Sequence, residues 1–64
     1  MSKENLCPCC EQHAFYEKDS YEICPVCNWE DDPVQSRKPD FPGGANLMSL
    51  NEAREAFKQG KRVQ

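Results

Sequence analysis

Apolar residues along this chain are scattered, and the clearest periodic pattern lies near the C-terminus. Leu50, Ala53 and Phe57 recur at the spacing of one helical face. Ser49 and Glu52 form the sequence signature of a capping box at the start of this stretch, and Gly60 stands where a helix should end. The pattern predicts a helix over residues 50–59.

A second pattern surrounds the polar turn at residues 17–20. Aromatic and β-branched residues precede this turn at Phe15 and Tyr16 and follow it at Tyr21 and Ile23. Such residues on both sides of a polar turn predict a β-hairpin. Residues 33–46 contain three prolines and two glycines, so this segment is predicted to be an irregular loop.

The cysteines change this picture, because the pattern Cys-Pro-x-Cys occurs twice, at residues 7–10 and 24–27. Each Cys-x2-Cys turn brings two sulfurs to one side of a tight loop, and proline fixes φ near −65° in that turn. Two such turns at this separation are typical of a four-thiolate zinc site. We predict that Cys7, Cys10, Cys24 and Cys27 bind one structural Zn²⁺, with iron as the less favoured metal.

We call each Cys-Pro-x-Cys turn, at residues 7–10 and 24–27, a knuckle. In knuckles of this kind the residue after the second cysteine often has a left-handed backbone. Asn28 suits that position, since asparagine tolerates a positive φ. Glu11 suits it less well, so the first knuckle is expected to turn differently.

The chain length indicates one domain, residues 1–64, with residues 1–6 and 61–64 expected to be flexible. A chain of about 60 residues buries only about 60% of its unfolded surface, so an apolar core alone leaves it marginally stable. Structural zinc contributes about 10 kcal/mol or more in zinc-finger peptides. The predicted fold is a small metal-stabilised α+β domain, in which a zinc-ribbon-like hairpin with two Cys-Pro-x-Cys knuckles is followed by one C-terminal helix. The metal is expected to be required for folding.

Cysteine usage also indicates the compartment. The five cysteines are odd in number and paired as Cys-x2-Cys, and the first residues carry no apolar signal segment. No apolar run approaches the roughly 18 residues of a membrane span. We therefore expect a cytoplasmic protein with reduced thiols and no membrane association.

Charge argues against nucleic acid as the partner. The formal net charge is −3 and the sequence pI is about 5.0. Affinity for nucleic acid depends largely on neutralisation of phosphates by lysine and arginine. The partner is instead expected to be another protein.

Two further residues could take part in the metal chemistry. Cys9 aligns with Val26, at the outward middle position of its knuckle, so it is the thiol left over. It can pack beside the metal as a small residue, react as a thiol of lowered pKa, exchange with Cys10 as ligand or bridge a larger cluster. His13 could complete a site of three cysteines and one histidine, although four cysteines make that unnecessary.

Trp29 and the acidic turn Glu30, Asp31 and Asp32 follow the second knuckle. Trp29 can cover the metal site or anchor a partner. The acidic turn can be a solvated loop, or it can contact a basic partner together with the neighbouring residues 35–41. We expect no enzyme, because no nucleophile and base are paired and four protein ligands leave the metal no open position.

The chain resembles the bacterial cysteine-rich CPCC family. The matching stretches are residues 7–10, 20–27, 29–32, 43–46 and 49–54. Members of the family usually have a glycine after the first knuckle and another before Ser20, where this chain has Glu11 and Asp19. The resemblance implies a zinc-binding protein and leaves its biochemical role open.

These observations lead to two hypotheses of different classes. The first is a small zinc-binding protein-interaction module with a structural four-cysteine site. The second is a thiol redox or metal-handling protein that uses Cys9. Nucleic-acid binding is a third and less favoured alternative.

Overall fold

The computed structural model describes residues 5–64, so residues 1–4 of the segment expected to be flexible lie outside the described residues. It contains two helices, α1 at Pro33–Arg37 and α2 at Leu50–Lys58. No residue in the described part of the chain belongs to a strand, and no helix there is long and apolar enough to cross a membrane.

The predicted hairpin between the two knuckles is not found. Each knuckle is instead closed by its own isolated antiparallel bridge, Leu6 with Ala14 for the first and Ile23 with Glu30 for the second. The two knuckles are therefore similar local units, each folded back on itself, and the loop that the bridge closes is one residue longer in the first than in the second.

Side-chain bonds and backbone angles explain why the hairpin does not form. The carboxylate of Glu22 accepts the backbone N–H groups of Tyr16 (3.1 Å) and Glu17 (2.8 Å), which a strand ladder would use. Asp19 and Tyr21 both have a φ of 60°, in the left-handed region that interrupts an extended strand. The aromatic residues of this segment predicted strands. The hydrogen bonds of Glu22 and the left-handed residues Asp19 and Tyr21 prevent those strands from forming.

Helix α1 lies inside the segment that was predicted to be irregular. Asp32 is its N-cap, and its side chain accepts from the N–H groups of Val34 and Gln35. Pro33 occupies the first helical position, where its missing N–H costs nothing. The density of prolines and glycines further along the segment concealed this short helix.

Helix α2 confirms the C-terminal prediction, with its last residue one position earlier than expected. Ser49 Oγ accepts from the N–H of Glu52, and Glu52 accepts from the N–H of Ser49, which completes the capping box. At the other end Gly60 has a φ of 70°, and Lys61 N donates to Ala56 O at 2.8 Å. This is the Schellman motif that a glycine after the last turn favours.

The buried core joins the two knuckles to α2 and to the C-terminal tail. Its members are Cys7, Cys9, Phe15, Cys24, Cys27, Trp29, Leu50, Ala53, Ala56 and Val63. Val63 is buried, and Gln64 O accepts from Met48 N at 2.9 Å. The last two residues of the tail therefore contact the rest of the fold, and its expected flexibility stays a prediction.

Candidate metal centre

The first knuckle is a tight loop held by two backbone hydrogen bonds. Cys7 N donates to His13 O at 2.8 Å, and Glu11 N donates to Cys7 O at 2.9 Å. The bridge between Leu6 and Ala14 closes the loop behind them. These bonds place both sulfurs of the knuckle on the same side of the turn.

The second knuckle repeats this arrangement. Cys24 N donates to Trp29 O and Asn28 N donates to Cys24 O, both at 2.8 Å. Asn28 has a φ of 73° and Glu11 a φ of 58°, so both knuckles turn through a left-handed residue. The expectation that the first knuckle turns differently is wrong, and Glu11 adopts a conformation that is strained for a glutamate.

The four predicted ligands converge on one point. The Sγ atoms of Cys7, Cys10, Cys24 and Cys27 all lie within 4.8 Å of one another. Two of the cross-knuckle Sγ pairs are Cys7 to Cys27 at 3.5 Å and Cys10 to Cys24 at 3.7 Å. A regular tetrahedron with Zn–S bonds of about 2.3 Å has S···S edges of about 3.8 Å. The spacing of the thiols therefore fits a tetrahedral metal ion.

Backbone N–H groups point at the sulfurs from within each knuckle. Gln12 N donates to Cys10 Sγ and Val26 N donates to Cys24 Sγ, both at 3.4 Å. Such outer contacts fix the orientation of a ligand and favour its charged form. The site thus has both a ligand set and the groups that hold it in place.

Burial and hydrogen bonding act in opposite directions on these thiols. Burial raises the pKa of Cys7 and of Cys27, against the effect of backbone N–H groups that favour their thiolates. For Cys24 burial also acts upward, but the N–H groups of Cys27 and Val26 together with the thiols of Cys10 and Cys27 outweigh it, so the pKa of Cys24 is lowered. A bound cation would stabilise all four thiolates, because metal ligation requires deprotonated sulfur.

Cys9 does not join the four ligands. Its side chain is only 8% exposed, whereas Val26 at the aligned position is 45% exposed, so the expected outward orientation of Cys9 is wrong. Burial raises the pKa of Cys9 to about 11. A buried thiol that resists ionisation is a poor nucleophile, and these properties favour its role as a small packing residue.

His13 also lies outside the cluster of four thiols. Its ring packs edge-on against Phe15, with 5.6 Å between ring centroids and an interplanar angle of 80°. The alternative site of three cysteines and one histidine gains no support from this position.

The acidic turn is not a solvated loop. Asp32 is buried, and its two carboxylate oxygens accept from Val34 N at 2.8 Å and from Ala45 N at 2.9 Å. Asp31 is buried as well and accepts from Asp19 N at 2.8 Å.

The pKa values of the two carboxyl groups move apart. Burial raises the pKa of Asp31. For Asp32 burial acts in the same direction, but the backbone donors that it accepts, first among them Ala45 N, lower its pKa overall. Both carboxylates accept hydrogen bonds from backbone N–H groups and so stabilise the fold.

Trp29 is completely buried in the core, and so is Gln35 in the adjoining segment. Trp29, Asp31 and Asp32 are therefore buried in this fold, and Glu30 alone of this group is half-exposed; contact of these residues with a partner stays a prediction. The physical reason is that Trp29 packs in the core, whereas Asp31 accepts a hydrogen bond from Asp19 N and Asp32 accepts one from Ala45 N.

A buried amide network supports the second knuckle, and sequence reasoning did not identify it. Gln35 Nε2 lies within 3.2 Å of the carbonyl oxygens of Phe41, Asn46 and Met48. Asn46 in turn donates through Nδ2 to Gln35 Oε1 and to Glu30 O, both at 2.9 Å. The signal was present in the family stretches 29–32 and 43–46, which these bonds join.

Helix α2 and the tail each hold one knuckle. Arg54 Nε donates to Pro8 O at 2.9 Å, and Asn28 Nδ2 donates to Val63 O at 3.1 Å. The two Cys-Pro-x-Cys turns are thereby fixed from the C-terminal side as well as by their own backbone bonds.

Comparison with protein families agrees with this geometry. The family described as cysteine-rich CPCC matches residues 5–60, which include both knuckles, the buried amide network and α2. No match was found among curated proteins.

Proposed function

The chain belongs to the cysteine-rich CPCC family, and we propose that it is a small zinc-binding module whose four-cysteine site is structural and whose role is to bind another protein. The observation that carries the structural role is the convergence of four thiols within 4.8 Å. Four protein ligands complete a tetrahedral zinc ion and leave no position for substrate or water.

Zinc is the metal that the ligand set and the size of the chain favour. A tetrathiolate tetrahedron suits zinc or iron, and zinc adds stability without redox chemistry. The buried core is small, and four of its members are themselves cysteines. Such a core depends on a metal for its stability. The five cysteines form no disulfide, and free thiols favour a reducing compartment such as the cytoplasm.

Protein binding is favoured over catalysis because the side chains that could act as acid, base or nucleophile are buried or hydrogen-bonded within the fold. The carboxylates of Asp31 and Asp32 accept internal hydrogen bonds, and Cys9 is buried with a raised pKa. What the chain offers to other molecules is therefore a rigid surface. A metal-stapled surface of this kind loses little conformational entropy on binding.

Two measurements test the proposal. Native mass spectrometry and elemental analysis of protein produced without added metal should give one zinc per chain, and iron in its place would overturn the assignment of the metal. The zinc-loaded chain is then immobilised and used to capture proteins, and each captured protein is purified and retested for stoichiometric binding. Binding that is saturable and abolished by a chelator supports the proposal. Failure of every purified candidate to bind would overturn the protein-interaction role.

A further inference from the structure

A groove lies between the second knuckle and the C-terminal tail. Its volume is about 470 Å³, and its lining includes Ile23, Pro25, Val26, Phe57, Lys61 and Arg62. We call this feature the knuckle groove. One wall is the apolar surface of the knuckle and the other carries the two cationic side chains of the tail.

The knuckle wall includes an open backbone edge at the isolated bridge of Ile23. In the bridge of Ile23 with Glu30, the flanking bonds run from Cys24 N to Trp29 O and from Asp31 N to Glu22 O. This register turns the N–H and C=O groups of the two bridged residues away from each other.

The two outer edges of this bridge differ in their hydrogen bonding. On one side, Glu30 N donates to Asn46 Oδ1 and Glu30 O accepts from Asn46 Nδ2, both at 2.9 Å. On the other side, the backbone N–H and C=O of Ile23 have no partner within residues 5–64, and its side chain is 59% exposed. An open edge with an exposed side chain is what an added peptide strand pairs with.

Charge specifies the kind of peptide. The chain has a net charge of −3, yet four of its eight cationic residues lie between positions 54 and 62. Lys61 and Arg62 line the knuckle groove, and Arg54 and Lys58 line the adjacent groove beside the first knuckle. Four cationic side chains therefore line the two grooves beside the knuckles, and Glu11 is the one acidic side chain among their lining residues.

We propose that the knuckle groove binds an extended acidic segment of the partner protein, with apolar side chains of that segment lying against Ile23 and Val26. The backbone of the segment pairs with Ile23, and its carboxylates face Lys61 and Arg62. This inference rests on the proposed protein-interaction function and names the surface and the chemistry of its ligand.

An acidic peptide fits these residues better than nucleic acid does. Single-stranded nucleic acid is held by aromatic stacking platforms within a basic groove. Phe57 is the one aromatic residue that lines the knuckle groove within the described chain, and it is partly buried against the core. The other apolar contacts on the knuckle wall are aliphatic, and they suit the apolar side chains of a peptide better than they suit stacked bases.

The test begins with a displayed library of random short peptides selected on the zinc-loaded full chain. Enriched peptides are synthesised and titrated into ¹⁵N-labelled protein. We expect peptides rich in Asp and Glu with interspersed apolar residues, and shift changes confined to residues 23–28 and 60–63. Affinity should fall as NaCl is raised from about 0.1 M to about 1 M, because salt screens rim charges.

Matched variants then test the two walls. Lys61→Glu with Arg62→Glu should weaken binding about tenfold or more, whereas Lys18→Glu with Lys38→Glu, which makes the same change in net charge away from the groove, should leave it nearly unchanged. Val26→Ser should weaken binding, and Val34→Ser should not, although the two valines are 45% and 46% exposed. Zinc content and the dispersion of the amide spectrum confirm that each variant is folded.

Three results would overturn the proposal, and they differ in what they say about the proposed function. Peptides that bind at other residues would overturn the groove and leave protein binding intact. Binding of a single-stranded oligonucleotide that depends on Lys61 and Arg62, with no peptide enriched, would overturn both in favour of nucleic acid. If neither probe binds, the groove assignment fails, and the capture experiment above decides the proposed function separately.

Discussion

The side chain of Asn46 pairs with the backbone of Glu30 as a neighbouring strand would. Asn46 Oδ1 accepts from Glu30 N and Asn46 Nδ2 donates to Glu30 O, both at 2.9 Å. Glu30 is bridged to Ile23 at the edge of the second knuckle. The side-chain amide of Asn46 therefore fixes the backbone of this knuckle on the side opposite Ile23. Asn46 is itself buried and fixed by Gln35, so the support extends from α1 to the metal site.

Asn46→Ala should therefore destabilise the zinc-loaded protein more than a surface substitution does. It removes two bonds to Glu30 and one to Gln35 Oε1, and it leaves the backbone N–H of Glu30 without a partner within residues 5–64, for which we expect a loss of about 2–3 kcal/mol. Asn51→Ala is the control, since Asn51 is exposed and its Nδ2 makes one hydrogen bond within residues 5–64, to Asp40 Oδ1 at 2.6 Å. Chemical denaturation at fixed free zinc measures both. Equal stabilities of the two variants would contradict the supporting role of Asn46.

The two adjacent glycines should differ in what they tolerate. A Cβ at Gly44 would lie 2.6 Å from Asp32 Oδ2 and 2.9 Å from Gln35 Cδ, so Gly44→Ala must displace the buried network. A Cβ at Gly43 would meet no atom within 4 Å, but the φ of 77° there favours glycine or asparagine. We expect Gly44→Ala to lower the midpoint of thermal unfolding strongly and Gly43→Asn to lower it slightly. The reverse order would show that the close approach at Gly44 is relieved without cost.

Two serine substitutions form a matched pair. Ser49→Ala removes the N-cap of α2 and should cost about 1 kcal/mol. Ser36 Oγ is buried and has no hydrogen-bond partner within residues 5–64, so Ser36→Ala should be neutral or slightly stabilising. Thermal unfolding of both zinc-loaded variants tests this difference. A loss at Ser36 as large as that at Ser49 would reveal a polar contact of Ser36 beyond those described.

Cys9 and Cys10 should respond differently to the same substitution. Cys9→Ala should retain one zinc per chain with a modest loss of stability, because it removes a buried sulfur outside the ligand set. Cys10→Ala removes one of the four ligands and should lose the metal or bind it much more weakly. Competition with a chromophoric chelator measures the affinities. Equal losses would show that Cys9 can act as a ligand.

Features encoded by local sequence could be predicted well. The ligand set follows from the duplicated Cys-Pro-x-Cys turns, whose geometry is internal to each knuckle. Helix α2 follows from Ser49, Glu52 and Gly60, which act on the backbone within a few residues.

Features that depend on distant partners could not be predicted. Nothing near Asp32 in the chain indicates that it accepts from Ala45 N, thirteen residues away, and so its charge was interpreted as solvent-exposed. The hairpin prediction failed for a related reason, because the carboxylate of Glu22 takes the N–H groups that a strand ladder needed. The N-cap Asp32 and Pro33 did signal α1, but the turn residues after it outweighed that signal.

The central claim is that one zinc ion held by Cys7, Cys10, Cys24 and Cys27 is part of the fold. Native mass spectrometry, combined with amide NMR spectra recorded during titration with a chelator, tests it most directly. We predict one zinc per chain and a loss of dispersed amide signals in proportion to the zinc removed, both reversed when zinc is restored. A chain that keeps its folded spectrum without metal would contradict the claim.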